Sequence, residues 1–139
     1  MTETFRITHT YANGVKLIAG QQQKDIPTGC TFIGDNGKIY VTRGKITADP
    51  ADALKANRSV TLYTSDDHHK NWLDCIKSRE KPICDVEIGH RSATVCHLGS
   101  IVCRLGRGIQ WDPKTEQIVG DTEAQAMTDR PYRKPWTHA

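Results

Sequence analysis

Apolar and polar residues alternate through residues 5–11, with Phe5, Ile7, His9 and Tyr11 on one side and Arg6, Thr8 and Thr10 on the other. That two-residue period is the mark of a strand. Ala12-Asn13-Gly14 follows, and Asn-Gly turns a chain tightly because both residues tolerate positive φ. The spacing therefore predicts a hairpin that returns along residues 15–18. A polar loop, 21–27, separates it from a second hairpin, whose strands 30–33 and 38–42 flank Gly34-Asp35-Asn36-Gly37. A short strand at 45–47, a helical turn within 49–54 and another strand at 59–63 complete a mainly antiparallel half.

The period changes after Ser65-Asp66-Asp67, which are good helix caps. His69, Trp72, Leu73 and Ile76 recur at i, i+3, i+4 and i+7, predicting an amphipathic helix that Pro82 brings to an end. Asp85 opens a second helix, from about Val86 to Leu105, whose apolar stripe is Ile88, Val95, Leu98, Val102 and Leu105. Beside it runs a stripe of small residues, Ser92, Cys96, Gly99 and Cys103, which invites close approach by the sheet. Arg104 and Gly106 supply a helix stop. Residues 109–111 and 117–119 read as a hairpin, Asp121 caps a short helix, and residues 130–136 form a Pro-rich basic tail. Strands first and helices after predict an α+β fold: a single domain over 1–139, with a mainly antiparallel sheet and helices packed on one face.

The chain has 139 residues, 37% hydrophobic and 25% charged, with a formal net charge of +3. That balance suits a soluble globular domain and gives no argument for a nucleic-acid or membrane partner. No apolar run approaches the ~20 residues that span a bilayer, and the first residues lack the character of a signal peptide. Five cysteines, an odd number, lie at irregular spacing without a Cys-x-x-Cys pair. They are expected to be buried structural thiols in a reducing compartment, the cytoplasm.

Candidate chemistry is sparse. His68-His69 and Cys96-His97 are adjacent pairs and point about 100° apart on a helix, so no metal site is expected. His90, Thr94 and His97 do share one helical face. Such a face either points into a ligand cleft or holds solvated and structural histidines. His90, Arg91 and His97 are the substrate-binding candidates, being hydrogen-bonding side chains on the long helix, and no residue is assigned a catalytic role. Gly34-Asp35-Asn36-Gly37 lies in a hairpin turn and Gly106-Arg107-Gly108 follows a helix, whereas a dinucleotide site needs glycines between a strand and a helix start. No cofactor site is therefore expected in this chain. The mixed basic and aromatic tail is a thin electrostatic footprint for RNA.

Several stretches resemble the final part of Gfo/Idh/MocA proteins, the glucose–fructose oxidoreductase and inositol dehydrogenase family. They run from Asp66-Asp67-His68-His69 to Lys77-Ser78-Arg79, and from Pro82-Ile83-Cys84-Asp85 through Glu87-Ile88-Gly89-His90-Arg91 to His97-Leu98-Gly99. Trp111-Asp112-Pro113, Val119-Gly120-Asp121 and Arg130-Pro131-Tyr132-Arg133-Lys134-Pro135-Trp136 belong to the same likeness, as do Ile33-Gly34 and Val41-Thr42-Arg43-Gly44. The resemblance implies a C-terminal α+β domain that supplies the substrate side of a cleft. It also implies homodimer or higher homo-oligomer contacts through an open sheet face. The family's Rossmann domain, which binds NAD or NADP, and its Asp/His catalytic stretch would lie upstream of Met1. Glu80-Lys81-Pro82 spells the family's catalytic Glu-Lys-Pro motif, but at a helix end in the wrong half, so Lys81 is read as a loop lysine. The implied function is the non-catalytic domain of a sugar or polyol oxidoreductase. The alternatives are a stand-alone carbohydrate-binding or assembly module of the same fold, and RNA binding through the tail.

Overall fold

The computed structural model describes residues 4–55, 60, 61 and 63–135, in an α+β arrangement of antiparallel strand pairs and three α-helices. The chain divides into two compact units, one made of residues 1–20 and 84–139 and the other of 21–83.

In the first unit β1 (Phe5–Thr10) pairs with β2 (Lys16–Gln21). The turn between them is the predicted one. Gly14 has φ +85, its N–H donates to the Tyr11 carbonyl, and the Asn13 side chain accepts from the Val15 N–H at 3.1 Å. Phe5, Ile7 and His9 are half-buried while the residues between them are exposed, as the alternation requires. The long helix α2 is Val86–Leu105, preceded by Asp85 and ended by Gly106, whose φ of +67 lets its N–H reach the Val102 carbonyl. The small-residue stripe does meet the sheet. A side chain placed at the buried Gly99 would stand 3.1 Å from Ile7 Cδ1 and 3.7 Å from the His9 ring, so β1 can lie close to the helix only because nothing projects there.

Beyond α2, β6 (Trp111–Asp112) and β7 (Gln117–Ile118) form a short hairpin, and α3 (Thr122–Ala126) closes over it. Asp121 caps α3 by accepting from the Ala124 N–H at 3.0 Å, and Arg107 bonds both Asp121 and Glu123. Ile101, Ile118 and Ala124 are the buried centre, with Leu98, Leu105, Ile109, Trp111 and Met127 packed around it. Burial of each of the two isoleucines stabilises this centre by about 1.5–3 kcal/mol. Ile101 borders the predicted stripe, three positions after Leu98 and four before Leu105, while Ile88 of that stripe is exposed.

In the second unit β3 (Cys30–Gly34), β4 (Gly37–Thr42) and β5 (Lys45–Asp49) form one antiparallel sheet in the order β3-β4-β5. A 3₁₀ turn, Ala51–Lys55, follows at the place where the sequence predicts a helical turn. Residues 59 and 62 of the strand expected at 59–63 lie outside the described residues, and 60, 61 and 63 belong to no element. The first helix, α1 (His68–Ser78), is capped by Asp67, whose carboxylate accepts from the N–H groups of His69 and Lys70. Its expected core face is not covered. Trp72, Leu73 and Ile76 are exposed and Cys75 is the buried residue, because no strand makes extensive contact with this helix among the described residues.

The cysteines also differ from expectation. All five are free, but only Cys75 is buried; Cys103 is half-buried, and Cys30, Cys84 and Cys96 are exposed. Cys30 lies on a sheet edge strand and Cys96 on the helix face beside an open cavity, where a thiol's small size gives it little cover.

Candidate functional site

Three segments of the first unit enclose a groove of about 660 Å³: the His90–Arg104 side of α2, the β6–β7 hairpin, and residues 127–130 after α3. Its floor is apolar, since Leu98, Ile101, Trp111 and Met127 line it while also belonging to the packed centre. Its rim is polar, with His90, Thr94, His97, Arg104, Glu116 and Arg130. The volume falls in the range of small-molecule sites.

Helical spacing puts His90, Thr94 and His97 on the same face, and the hairpin then brings Glu116 to them. Glu116 sits in the β6–β7 turn with φ +55, in the left-handed region that tight turns use. Asp112 shapes that turn, accepting from the Lys114 N–H at 2.9 Å and the Thr115 hydroxyl at 2.8 Å. Glu116 Oε1 lies 2.8 Å from His90 Nε2 and 3.2 Å from Arg91 Nη1. The carboxylate can only accept, so His90 Nε2 carries the hydrogen in this pairing. The His90 bond first, and the charges of His90 and Arg91 after it, hold the Glu116 carboxyl below its ordinary value. Arg91 is engaged elsewhere too: its Nε donates to Glu87 at 2.7 Å and its Nη1 to the Pro113 carbonyl at 3.1 Å. Glu87, by bond and charge, raises the Arg91 guanidinium further.

Of the three candidates from the sequence, His90 and His97 line the groove, while Arg91 stands beside it and braces Glu116. Glu116, Trp111, Arg104 and Arg130 were not among the candidates. Glu116 is 26 positions from its histidine partner, and no local period signals that pairing. Arg104 follows His97 by seven positions, so the helical spacing could have added it to the face.

A second cavity, of about 710 Å³, lies among β1, β2 and the small-residue side of α2. Its lining is mainly apolar, with Phe5, Ile7 and Leu17 among it, and His9, Ser100 and Arg104 are its polar members. Such a lining offers few groups to orient a polar ligand. Among the described residues, no group of three or more His, Cys, Asp or Glu side chains is arranged to hold a metal ion. No helix among them is long and apolar enough to cross a membrane.

A family model described as the oxidoreductase family, C-terminal alpha/beta domain, of the Gfo/Idh/MocA group matches residues 1–138. The chain belongs to the Gfo/Idh/MocA oxidoreductase family, as its C-terminal domain. Neither the curated proteins nor the solved structures gave a match. Gly34 and Gly37 flank the β3–β4 turn, and Gly106 caps the end of α2, so neither glycine pair stands between a strand and a helix start. Lys81 stands in the loop between α1 and α2, where the sequence predicts a loop lysine.

Proposed function

We propose that this domain forms the substrate-side wall of an NAD(P)-dependent oxidoreductase acting on a sugar or polyol hydroxyl. In this reading the nicotinamide is held by a Rossmann segment elsewhere in the full-length protein, and this chain supplies no catalytic group. The observation that carries the proposal is the groove's division into an apolar, partly aromatic floor and a rim of hydrogen-bonding side chains. A saccharide presents the matching pair, a C–H face for Trp111 and hydroxyls for His90, Thr94 and His97. The open apolar side of the β3-β4-β5 sheet is proposed to join two copies of the domain.

Alanine variants in the full-length protein test the groove. Loss of the His97 hydrogen bond should raise KM up to about tenfold with kcat little changed, since a positioning contact contributes ~0.5–1.5 kcal/mol. His90→Ala and Arg91→Ala should act through the same Glu116 carboxylate, so the double variant should cost less than the two single effects added together. Unchanged kinetics in all three single variants would remove the groove from substrate binding.

A further inference from the structure

We infer that the groove takes an anionic saccharide, one carrying a carboxylate or a phosphate, rather than a neutral sugar. The inference rests on the proposed saccharide reading and adds the ligand's charge to it. The charges around the groove are unequally engaged. Glu116 is already held by His90 and Arg91, at 2.8 Å and 3.2 Å, and Arg91 is held in turn by Glu87. Asp129, the other acid lining the groove, accepts from the Arg130 backbone N–H at 2.7 Å. Arg104, from α2, and Arg130, from the segment after α3, also line the groove, yet among the described residues neither guanidinium makes a hydrogen bond or ion pair. This is unlike Arg107 of the same unit, which is bonded to two carboxylates.

Two guanidiniums with no partner among the described residues thus line a groove whose two acids, Glu116 and Asp129, are already engaged, so the guanidiniums are the charges left for a ligand. Guanidinium forks match the planar oxygens of a carboxylate or the face of a phosphate, and charge-assisted bonds of that kind are about twice as strong as neutral ones. The His97 ring lies on the same helical face as Arg104 and adds a further hydrogen-bonding group. The apolar floor would meanwhile meet the sugar ring, so a ligand with a charged end and a C–H face uses both parts of the groove.

The test is an NMR titration of this chain with glucuronate, glucose 6-phosphate, glucose and inorganic phosphate, following the Trp111 indole N–H, which a Trp111→Phe spectrum assigns. Either glucuronate or glucose 6-phosphate should saturate at a concentration at least about tenfold below glucose, and Arg104→Gln and Arg130→Gln should each weaken that anion roughly tenfold. Which anion wins distinguishes the carboxylate from the phosphate. Equal binding of glucose and both anionic sugars would overturn the charge preference and leave the saccharide groove standing. Inorganic phosphate binding as tightly as glucose 6-phosphate would overturn the saccharide part and leave an anion site. Binding indifferent to both arginine variants, or no saturable binding by any of the four compounds, would overturn the inference. Both arginine side chains are exposed, so the variants should keep the fold, and circular dichroism checks this.

Discussion

The His9 ring lies against Gly99 of α2, half-buried between strand and helix, and burial lowers its pKa from 6.5 because the charged form loses water. The consequence for stability has a definite sign. The unfolded chain takes up a proton near pH 6.5, while the folded chain resists until a lower pH, so the unfolded state binds more protons in between. Stability is thus fully present above pH 6.5 and declines as pH falls through the lowered folded value. His9→Gln removes that difference. The fall in thermal midpoint between roughly pH 7.5 and pH 5.5 should be smaller in the variant than in the parent chain. Equal falls would mean that His9 is not the group that makes the β1–α2 contact pH-sensitive. The sequence reveals half of this arrangement: alternation places His9 on the inward side of β1, and the small-residue stripe marks where a strand can approach α2. It does not reveal that the two meet, because nothing local ties residue 9 to residue 99.

At the level of elements, most of the architecture is legible because caps, turns and periods are local signals. Asn13-Gly14, Asp67, Gly106 and Asp121 each stand where the backbone needs positive φ or a side-chain acceptor, and each does what its type predicts. The failures lie where burial depends on a distant partner. Trp72, Leu73 and Ile76 have a helical period but stay exposed, and Glu116 reaches His90 only because the β6–β7 turn folds back. Asp121 offers a clean test of local against tertiary roles, since it both caps α3 and accepts from Arg107. Those contacts hold its carboxyl below the ordinary value, the Arg107 bond being the leading cause. Asp121→Asn keeps an acceptor for the Ala124 N–H and loses only the charge. Asp121→Ala loses both and should destabilise by about 1 kcal/mol more, within the usual 0.5–2 kcal/mol of a lost cap. Urea unfolding of the two variants measures the difference. Equal stabilities would show that the Arg107 pairing, and not the cap, anchors α3.

For the whole molecule, the open question is what meets the β3-β4-β5 sheet. Its register places Cys30, Val41 and Ile46 across from one another, and next to them Phe32, Ile39 and Ala48. Side chains alternate along each strand, so these six share one face, while Thr31, Ile33, Tyr40, Thr47, Lys38 and Asp49 share the other. The second face is mostly polar: Lys38 and Asp49 pair at 3.3 Å and the Tyr40 hydroxyl donates to the Thr28 carbonyl, with Ile33 beside the β3–β4 turn as its one large apolar residue. The first face is apolar at all six positions, and Phe32 is 62% exposed and Ile46 54%. An apolar face of this kind is most often an interaction surface, and a second copy of the same domain offers an equally apolar face in return through a two-fold contact. The variants that separate the alternatives follow from the faces. Phe32→Lys and Ile46→Lys each place a charge in the middle of the proposed contact, whereas Tyr40→Lys changes the opposite face. Light scattering across a dilution series should show a dimer for the unaltered chain and for Tyr40→Lys. The two apolar-face variants should shift to monomer at concentrations at least about tenfold higher, as burying an unpaired lysine charge in the contact costs several kcal/mol. A monomer at millimolar concentration, or a dimer indifferent to Phe32→Lys and Ile46→Lys, would mean that this face meets some other partner.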